Sequence, residues 1–321
     1  MPDPHRWPFG PIRPWLVAAV GLAPWSWFVV RDVSPRTDAV ALLWPPLALG
    51  VVVVLLAVAV VFRSVGLLAA VASWVVVSVV VVVLPWRPLD GPAPRAGGIR
   101  VVAANTYGAN RRPAAAVAAD VLAQHPSLLV VSELSPKVDA ALRRSFAHRA
   151  VDLTPGRDHR ADVGVYSDFP LTQTDLPSGV SAEHGMRVVV AMPGQRLILY
   201  AVHLQKPGVR PSSYEVGFRT HQKLVGRIAD AVHAEQEPVL LAGDLNLADR
   251  TGGYRRLTGV LDDAMRGGWA GPTSHRDTTR WLFARIDHIF MPEGWCSAGS
   301  RTFAITGSDH RGISTRLGPC P

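Results

Sequence analysis

The chain has 321 residues, 48% of them hydrophobic, and a formal net charge of +8. After residue 100 the 25 Lys and Arg exceed the 21 Asp and Glu by only four, which is too little to identify nucleic acid as the partner. The apolar residues are concentrated before residue 86, and Arg63 is the single charged residue between Val40 and Leu84. The composition therefore excludes a purely soluble chain and predicts a membrane part followed by a globular part.

Three apolar segments precede the globular part. They run from about Trp15 to Val30, from about Val40 to Phe62 and from Val65 to Leu84. The last two fit a helix of about 20 residues that spans a bilayer, whereas the first is short and contains Pro24. A tight turn at Arg63–Ser64 is expected between the second and third segments, because one helix through both segments would be about twice as long as a bilayer is thick. We expect residues 1–85 to form a membrane anchor of three transmembrane helices, with a cleaved signal peptide as the alternative for the first segment.

Arg63 predicts the orientation of the chain. Basic residues favour the cytoplasmic side, so the turn at Arg63 is expected inside and the residues after Leu84 outside. The prediction is a multi-pass protein of the cell membrane with an extracytoplasmic globular domain, whereas two spans with the first segment on the surface would turn that domain inward. Residues 86–98 form a Pro/Gly-rich linker that extends at most about 40 Å, so the domain at 99–321 is expected close to the membrane.

Two cysteines, Cys296 and Cys320, lie in the globular part. Their spacing does not match a zinc or redox motif. The sequence is compatible both with one disulfide and with two unrelated thiols.

From Ile99 onward, apolar strands alternate with amphipathic helices. Strands are predicted at Ile99–Ala104, Leu128–Ser132, Leu197–Leu204, Val239–Ala242, Ile286–Met291, Arg301–Ile305 and Gly312–Leu317. Helices are predicted at Pro113–Gln124 and at about Ser213–His233, the second with an apolar stripe of Leu224, Val225, Ile228 and Val232. This order predicts layered α/β sheets covered by helices.

Polar side chains lie at or near the ends of the predicted strands. They are Asn105, Glu133, His203, Asp244, Asn246, Asp287, Asp309 and His310. Taken singly, most have a common structural explanation, such as a turn for Asn105 or a hydrogen-bonded core histidine for His203. Because a sheet fixes the positions of its strand ends, the set as a whole predicts one functional site.

The order of these residues, with GDLN at Gly243–Asn246, IDHIF at Ile286–Phe290 and SDH at Ser308–His310, resembles the motif set of the endonuclease/exonuclease/phosphatase family. The resemblance covers about Ile99 to Leu317. It implies a four-layer α/β sandwich, with two packed sheets flanked by helices, and a phosphoesterase that depends on Mg²⁺, for which Mn²⁺ could substitute.

The resemblance also implies the metal ligands. Glu133 would be the main Mg²⁺ ligand, with Asn105 and Asp309 close by. Tyr107 stands where some members carry an acid, and Asp168 replaces the usual arginine of another family segment. A second metal and close contacts to a nucleic-acid backbone are therefore not implied.

The catalytic roles follow from the same resemblance. Asp244 would activate or orient the attacking water, and Asn246 would hold the phosphoryl group. His310, oriented by Asp287, would stabilise the developing negative charge. His203 would protonate the leaving group, although the sequence shows no carboxylate partner for it. His288 is expected outside the site, because it would point to the opposite sheet face from its neighbour.

The anchor combined with an outer domain resembles the VanJ-type teicoplanin-resistance proteins. That resemblance implies a phosphorylated lipid as partner, either a polyprenyl pyrophosphate used as a cell-wall precursor or a phospholipid headgroup. The alternative is an extracytoplasmic nuclease acting on DNA or RNA. Such a nuclease would need a row of basic and aromatic side chains beside the site to contact the nucleic acid. The residues that could supply it are Arg210, Tyr214, Arg255, Arg256 and Arg276. A catalytically inactive binding domain is a third hypothesis, against which the complete set of site residues argues.

Overall fold

The computed structural model divides the chain into two compact units, Met1–Leu84 and Pro85–Pro321. It describes residues 13–31, 34–89, 91–95, 98–152, 163–180, 185–207, 211–269, 271–274 and 284–321, without the side chains of residues 35 and 211–215. The division falls directly after the third apolar segment of the sequence.

The described part of the first unit is helical. Its α-helices are α1 (Pro14–Leu22), α2 (Trp27–Val30), α3 (Pro35–Phe62) and α4 (Val65–Ser78). The predicted turn between the last two is confirmed, because Arg63 adopts a left-handed φ of 46° at the end of α3. The Ser64 hydroxyl accepts a hydrogen bond from the Leu67 amide and caps α4.

Two helices of the described residues, not the three expected, are long and apolar enough to cross a bilayer. They are Arg36–Phe62 and Val65–Trp86, the second continuing α4 through a π-helical turn and a 3₁₀ turn. The first apolar segment forms the shorter helix Pro14–Val30, interrupted by a 3₁₀ turn at Ala23–Ser26. Pro24 has no amide proton for an α-helical bond there. This helix would be about 26 Å long, less than the roughly 30 Å of a hydrocarbon core.

The second unit contains two six-stranded sheets. The strands are β1 (Ile99–Asn105), β2 (Leu128–Ser132), β3 (His148–Val151), β4 (Gly164–Ser167), β5 (Leu171–Thr174), β6 (Gly185–Met192), β7 (Gln195–His203), β8 (Val239–Asp244), β9 (Asp262–Asp263), β10 (Asp287–Met291), β11 (Trp295–Ala304) and β12 (Arg311–Pro319). The sheet orders are β11-β12-β1-β2-β4-β3 and β5-β6-β7-β8-β10-β9. Among the described strands, the β1–β2 and β7–β8 pairs are parallel and the other pairs are antiparallel.

Helices cover the outer faces of both sheets. They are α5 (Ala114–Leu122), α6 (Pro136–Leu142), α7 (Pro211–Ala234) and α8 (Gly252–Leu257). The inner faces pack on each other through buried aliphatic residues such as Val101, Val130, Leu199 and Ala242. Outside, α5 and α6 pack on the first sheet, while the predicted stripe of α7 packs on the second. The four-layer α/β sandwich expected from the sequence is therefore confirmed.

The strands between residues 148 and 192 had no counterpart in the sequence prediction. Three of them, β3 to β5, are only four residues long, and β3 and β5 contain no fully buried residue. β3 to β5 therefore lack the long apolar run that identified the central strands. β6 has eight residues and is mostly buried, and it was missed all the same. β11 begins six residues before the predicted strand at 301, with a register irregularity between Ala298 and Arg301.

The described residues of the predicted linker belong to the second unit and are hydrogen-bonded to the rest of it. The Leu89 amide donates to the Arg266 carbonyl (2.8 Å), and the Arg95 amide donates to the Pro319 carbonyl (3.0 Å). Pro319 is the last residue of β12. Cys320, which follows it, forms a disulfide with Cys296 near the start of β11. Of the two possibilities left open by the sequence, the structure thus contains the disulfide.

The sheet topology brings the polar strand ends to one edge of the sandwich. β1 runs parallel to β2, so Asn105 pairs with Ser132, the residue before Glu133. β7 runs parallel to β8, so His203 pairs with Asp244. β10 runs antiparallel to β8, so its first residue, Asp287, lies opposite Asp244.

Candidate active site

Asn105, the last residue of β1, bridges the two sheets. Its side-chain Nδ2 donates to Glu133 Oε1 (3.0 Å) and to Asp244 Oδ2 (2.9 Å). Its Oδ1 accepts a hydrogen bond from the Tyr107 amide (2.9 Å). The amide nitrogen thus faces the carboxylates, so Asn105 orients both of them.

Glu133 follows β2 and has a left-handed φ of 52°. Such a backbone conformation is uncommon for residues other than glycine and clusters at functional sites. Its Oε2 accepts a hydrogen bond from the Gly108 amide (2.8 Å), while its side chain stays 26% exposed. Glu133 is therefore a carboxylate that is held in place yet open to solvent.

Asp244 ends β8 and is buried, with 2% of its surface exposed. Gly243 before it has a φ of 135°, and a Cβ there would lie 2.0 Å from the Val202 carbonyl oxygen, so the position requires glycine. Burial first, and the negative charge of Asp287 second, raise the pKa of Asp244 against the opposing charges of the nearby histidines. Asp244 therefore binds a proton more readily than a solvated aspartate does.

Asn246 shapes the turn after Asp244. Its amide donates to Asp244 Oδ1 (2.9 Å), and its own φ is 47°, again left-handed. Its side-chain Nδ2 donates to the Leu204 carbonyl (2.8 Å). The asparagine side chain is thereby fixed beside the buried carboxylate.

His310 and Asp287 form a buried pair, with His310 Nδ1 2.8 Å from Asp287 Oδ2. His310 Nε2 lies 3.8 Å from Asp244 Oδ2 on its other side. Burial alone would lower the pKa of His310, but the charges of Asp287 and Asp244, together with that of Asp309, outweigh burial and raise this pKa to about 10. His310 is therefore a positively charged imidazolium at neutral pH.

His203, at the end of β7, faces two carboxylates. Its Nε2 lies 4.0 Å from Glu133 Oε1 and 3.9 Å from Asp244 Oδ2. The sequence showed no carboxylate near this histidine. The structure supplies two, both beyond hydrogen-bonding distance.

Two groups of described side chains could hold a metal ion, each with its ligand atoms within 4.8 Å of one another. They are Glu133, His203 and Asp244, and Asp244, Asp287 and His310. All three residues of the second group are buried, and His310 Nδ1 is already bonded to Asp287. The first group has an accessible side at Glu133 and His203, so it suits an exchangeable cation better. Asp309 is half-buried beside His310 and belongs to neither of these groups.

Ser308 and Thr273 support the site and were not singled out from the sequence. The Ser308 hydroxyl donates to the Asn105 carbonyl (2.8 Å) and accepts from the His310 amide (3.0 Å). The Thr273 hydroxyl accepts from the Asp287 amide (3.1 Å). Ser308 could have been found from its place in the SDH segment, whereas Thr273 lies 14 residues before Asp287 and has no local signal.

His288 lies outside the site, as predicted. It is fully buried, and its Nε2 donates to the Leu247 carbonyl (2.7 Å) rather than facing Asp244. Of the two departures from the family pattern, Tyr107 forms the turn after Asn105 with a φ of 58°. Asp168 is exposed, and its amide donates to the Ser127 carbonyl (3.0 Å).

Comparison with protein families gives one match over residues 102–310, to the Endonuclease/Exonuclease/phosphatase family. The matched range contains all eight residues predicted for the site. No match to the sequence was found among curated proteins.

Solved structures share the fold of the second unit. An endonuclease/exonuclease/phosphatase from Beutenbergia cavernae DSM 12333 is 20% identical over 69% of this chain and 72% of that chain, with a TM-score of 0.52. A mutant beta toxin from Staphylococcus aureus with bound magnesium ions is 14% identical over 68% and 99%, with a TM-score of 0.52. The 3′ phosphatase NExo from Neisseria, bound to a product DNA hairpin, is 16% identical over 68% and 99%, with a TM-score of 0.52. At these identities the likeness shows the fold alone.

Proposed function

Because the chain belongs to the endonuclease/exonuclease/phosphatase family, whose members are metal-dependent hydrolases of phosphoric esters, we propose that it is a membrane-anchored, Mg²⁺-dependent phosphoesterase acting on phosphorylated lipids. One observation carries the proposal. A buried carboxylate of raised pKa, Asp244, lies between the His310–Asp287 pair and the accessible Glu133.

The donor set fits a hard divalent cation. Glu133 offers a carboxylate that the Gly108 amide holds in place and that stays 26% exposed. Mg²⁺ commonly binds through one or two carboxylates and keeps several waters, and Mn²⁺ accepts the same ligands. In the proposal Glu133 is the main ligand, with Asn105 and Asp309 close by. When bound, the ion would neutralise charge on the phosphoryl oxygens.

The protein side chains then divide the remaining work. Asp244 accepts the proton of the attacking water, as its raised pKa allows. His310, kept charged and oriented by Asp287, stabilises negative charge on the phosphoryl oxygens. Asn246 holds the phosphoryl group through its amide. His203, whose Nε2 lies 4.0 Å from Glu133 Oε1 and 3.9 Å from Asp244 Oδ2, donates a proton to the leaving oxygen.

The substrate proposed is a polyprenyl pyrophosphate or a phospholipid headgroup. Two helices that could each cross a bilayer precede the catalytic unit. A site joined to a membrane anchor meets lipid-borne phosphates at high effective concentration.

We place the catalytic unit outside the cytoplasm. Its disulfide between Cys296 and Cys320 supports this, because disulfides persist in oxidising compartments. If the N-terminus is inside, this orientation requires that the Pro14–Val30 segment cross the membrane as well, by locally thinning the bilayer.

The test compares substrates on the full-length chain in detergent, with Mg²⁺ present. Phosphate release from a polyprenyl pyrophosphate and headgroup release from a phospholipid are measured beside the nicking of plasmid DNA. Asp244→Ala is expected to lower lipid hydrolysis by about 10³-fold or more. Asp168→Ala removes an exposed aspartate and is expected to match the wild type.

Binding of the cation gives a readout that does not depend on activity. Mg²⁺ is expected to raise the melting temperature of the wild type and of Asp168→Ala but not of Glu133→Ala, because a ligand of the folded state stabilises it. Hydrolysis of neither lipid by the wild type would overturn the proposed function.

The second candidate function is an extracytoplasmic nuclease, favoured by the basic residues near the loop after Asn246. Arg255 donates to the Arg250 carbonyl (2.9 Å), and Arg256 pairs with Asp230 (3.3 Å), so both already have partners within the protein. Arg210 and Arg276 lie outside the described residues, as does the side chain of Tyr214. Plasmid nicking without lipid hydrolysis would support this candidate, and no metal-dependent hydrolysis on a broad panel would support a binding domain.

A further inference from the structure

The loop of residues 245–251, which joins β8 to α8 and carries Asn246, is held by two buried histidines. His221 Nε2 donates to the Leu245 carbonyl (2.9 Å), and His288 Nε2 donates to the Leu247 carbonyl (2.7 Å). A carbonyl oxygen can only accept, so each histidine carries its proton on Nε2. Two alternate carbonyls of the 245–251 loop are thereby fixed on either side of Asn246.

Burial, followed by the positive charge of Arg285, lowers the pKa of His288 to about 4. His288 is therefore neutral at physiological pH and keeps the same donor nitrogen throughout that range. The hydrogen bond from His288 to the 245–251 loop thus does not depend on a change of charge.

Asp249 fixes the second half of the 245–251 loop. Its side chain is fully buried and is shared by two arginines: Arg250 contacts Oδ1 (3.2 Å), and Arg285 Nε contacts Oδ2 (3.3 Å). Arg285 is more closely engaged elsewhere, with Asp263 Oδ2 at 2.7 Å. Asp249 Oδ2 therefore receives only a long hydrogen bond from its arginine.

The indole Nε1 of Trp86 donates the other hydrogen bond to Asp249 Oδ2. Trp86 is the second residue of the catalytic unit and stands two positions after the last apolar segment ends at Leu84. Without the indole donor, a buried carboxylate oxygen would keep a single long bond, which favours movement of the loop toward better donors.

We propose that Trp86 is a positioning residue for the active site. By donating to Asp249 it holds the 245–251 loop in the conformation that presents Asn246. Asn246 itself has a left-handed φ of 47°, which places its side chain in the turn that the loop contacts hold. The inference rests on the proposed function in one respect, namely that Asn246 contacts the phosphoryl group.

The test uses the full-length chain in detergent. Trp86→Phe removes the indole donor and keeps an aromatic ring. Trp269→Phe makes the same change at a tryptophan of the catalytic unit that is 51% exposed and serves as the matched control. For Trp86→Phe we expect kcat for lipid phosphate release to fall about tenfold with KM changed less than about twofold.

Hydrogen exchange followed by mass spectrometry reports on the loop without reference to activity. The peptide covering residues 245–251 is expected to exchange faster in Trp86→Phe than in the wild type, while peptides from β1 and β2 exchange at the wild-type rate. Trp269→Phe is expected to match the wild type in both measurements. A purely structural role would instead lower the melting temperature and speed exchange across the whole unit, leaving kcat per folded molecule unchanged.

The outcomes separate this inference from the proposed function. The positioning role would be overturned if the 245–251 peptide of Trp86→Phe exchanged at the wild-type rate. It would also be overturned if the whole unit exchanged faster while kcat stayed unchanged. If the wild type hydrolyses neither lipid but Trp86→Phe still speeds exchange of that peptide alone, the proposed function fails and the control of the loop by Trp86 is supported.

Discussion

At the level of single residues, the site depends on charges that are buried next to each other. His310 lies between Asp287 and Asp244, at 2.8 and 3.8 Å, and this pair of carboxylates keeps it charged despite its burial. Asp244 in turn is shifted towards its protonated form. A carboxylate that accepts a proton beside a fixed positive charge is the arrangement that general-base attack on a phosphoryl group requires.

Asp287→Asn tests the coupling within this cluster. The proposed role of His310 needs the imidazolium, so activity should be retained below its pKa of about 10 and fall as the pH rises through that value. Removal of the Asp287 charge lowers that pKa, so the alkaline limb of the pH–kcat profile should move to lower pH. The profile is measured from pH 6 to 11, with Asp168→Asn as a control for loss of an exposed charge. An unmoved alkaline limb would contradict the assignment.

Asn246 allows side-chain chemistry to be separated from backbone strain. Asn246→Gly and Asn246→Ala both remove the amide, so both should lower kcat by about 10²- to 10³-fold. Alanine must also adopt the left-handed φ of 47°, so its free energy of unfolding should be lower than that of the glycine variant by about 1 kcal/mol. Activity assays and denaturant unfolding measure the two effects. A glycine variant with wild-type kcat would refute the role of the amide.

At the level of secondary-structure elements, the parallel pairs β1–β2 and β7–β8 decide which side chains meet. They put Asn105 and His203 at strand ends on one edge, and the antiparallel entry of β10 adds Asp287. The close approach of Gly243 to the Val202 carbonyl allows Asp244 to reach the same point. The edge of the first sheet is fastened separately, by the disulfide between β11 and the residue after β12.

The disulfide should contribute to stability without affecting chemistry. It closes a segment with a sequence separation of 24, for which the chain-entropy relation gives about 3 kcal/mol. We expect the Cys296→Ser/Cys320→Ser double variant to melt roughly 6–12 °C below the wild type, with kcat unchanged at low temperature. Thermal unfolding with and without reductant checks this, because reductant should lower the melting temperature of the wild type only. Equal sensitivity of both proteins to reductant would argue against the bond.

At the level of the whole molecule, the number of spans decides which side of the membrane holds the catalytic unit. Two helices of the described residues are long enough to cross, and the Pro14–Val30 helix, with 17 residues, falls short by a few ångströms. With the turn at Arg63 in the cytoplasm, the chain emerges outside after Trp86. The first segment then has to cross if the N-terminus is inside.

A reporter fused after Pro321 tests this orientation. Alkaline phosphatase folds in an oxidising compartment and a fluorescent protein reports from the cytoplasm, so we expect an active phosphatase fusion and a dark fluorescent fusion. The same reporters fused after Arg63 should give the reverse pattern, which provides the internal control. A fluorescent fusion at Pro321 would place the catalytic unit in the cytoplasm and remove the lipid substrates of the outer surface from consideration.

The sequence alone predicted most of the central strands, although not β6, together with the long helix α7 and the eight polar residues proposed for the site. Buried strands such as Leu128–Ser132 and the stripe of α7 have local apolar patterns whose period follows directly from helix and strand geometry. The polar residues could be found for the same reason, since most of them interrupt such a pattern at one of its ends. The short strands at residues 148–174 were missed because four residues carry too little pattern.

The tertiary structure decided every feature that depends on which distant residues meet. The carboxylates near His203, the support of Asp287 by Thr273 and the disulfide all join positions far apart in the chain. The same holds for Trp86, which the sequence assigned to a spacer and the structure places against Asp249, 163 residues later. Such contacts depend on strand register and sheet packing, which no local pattern encodes, so only the folded chain could show how the site residues are held.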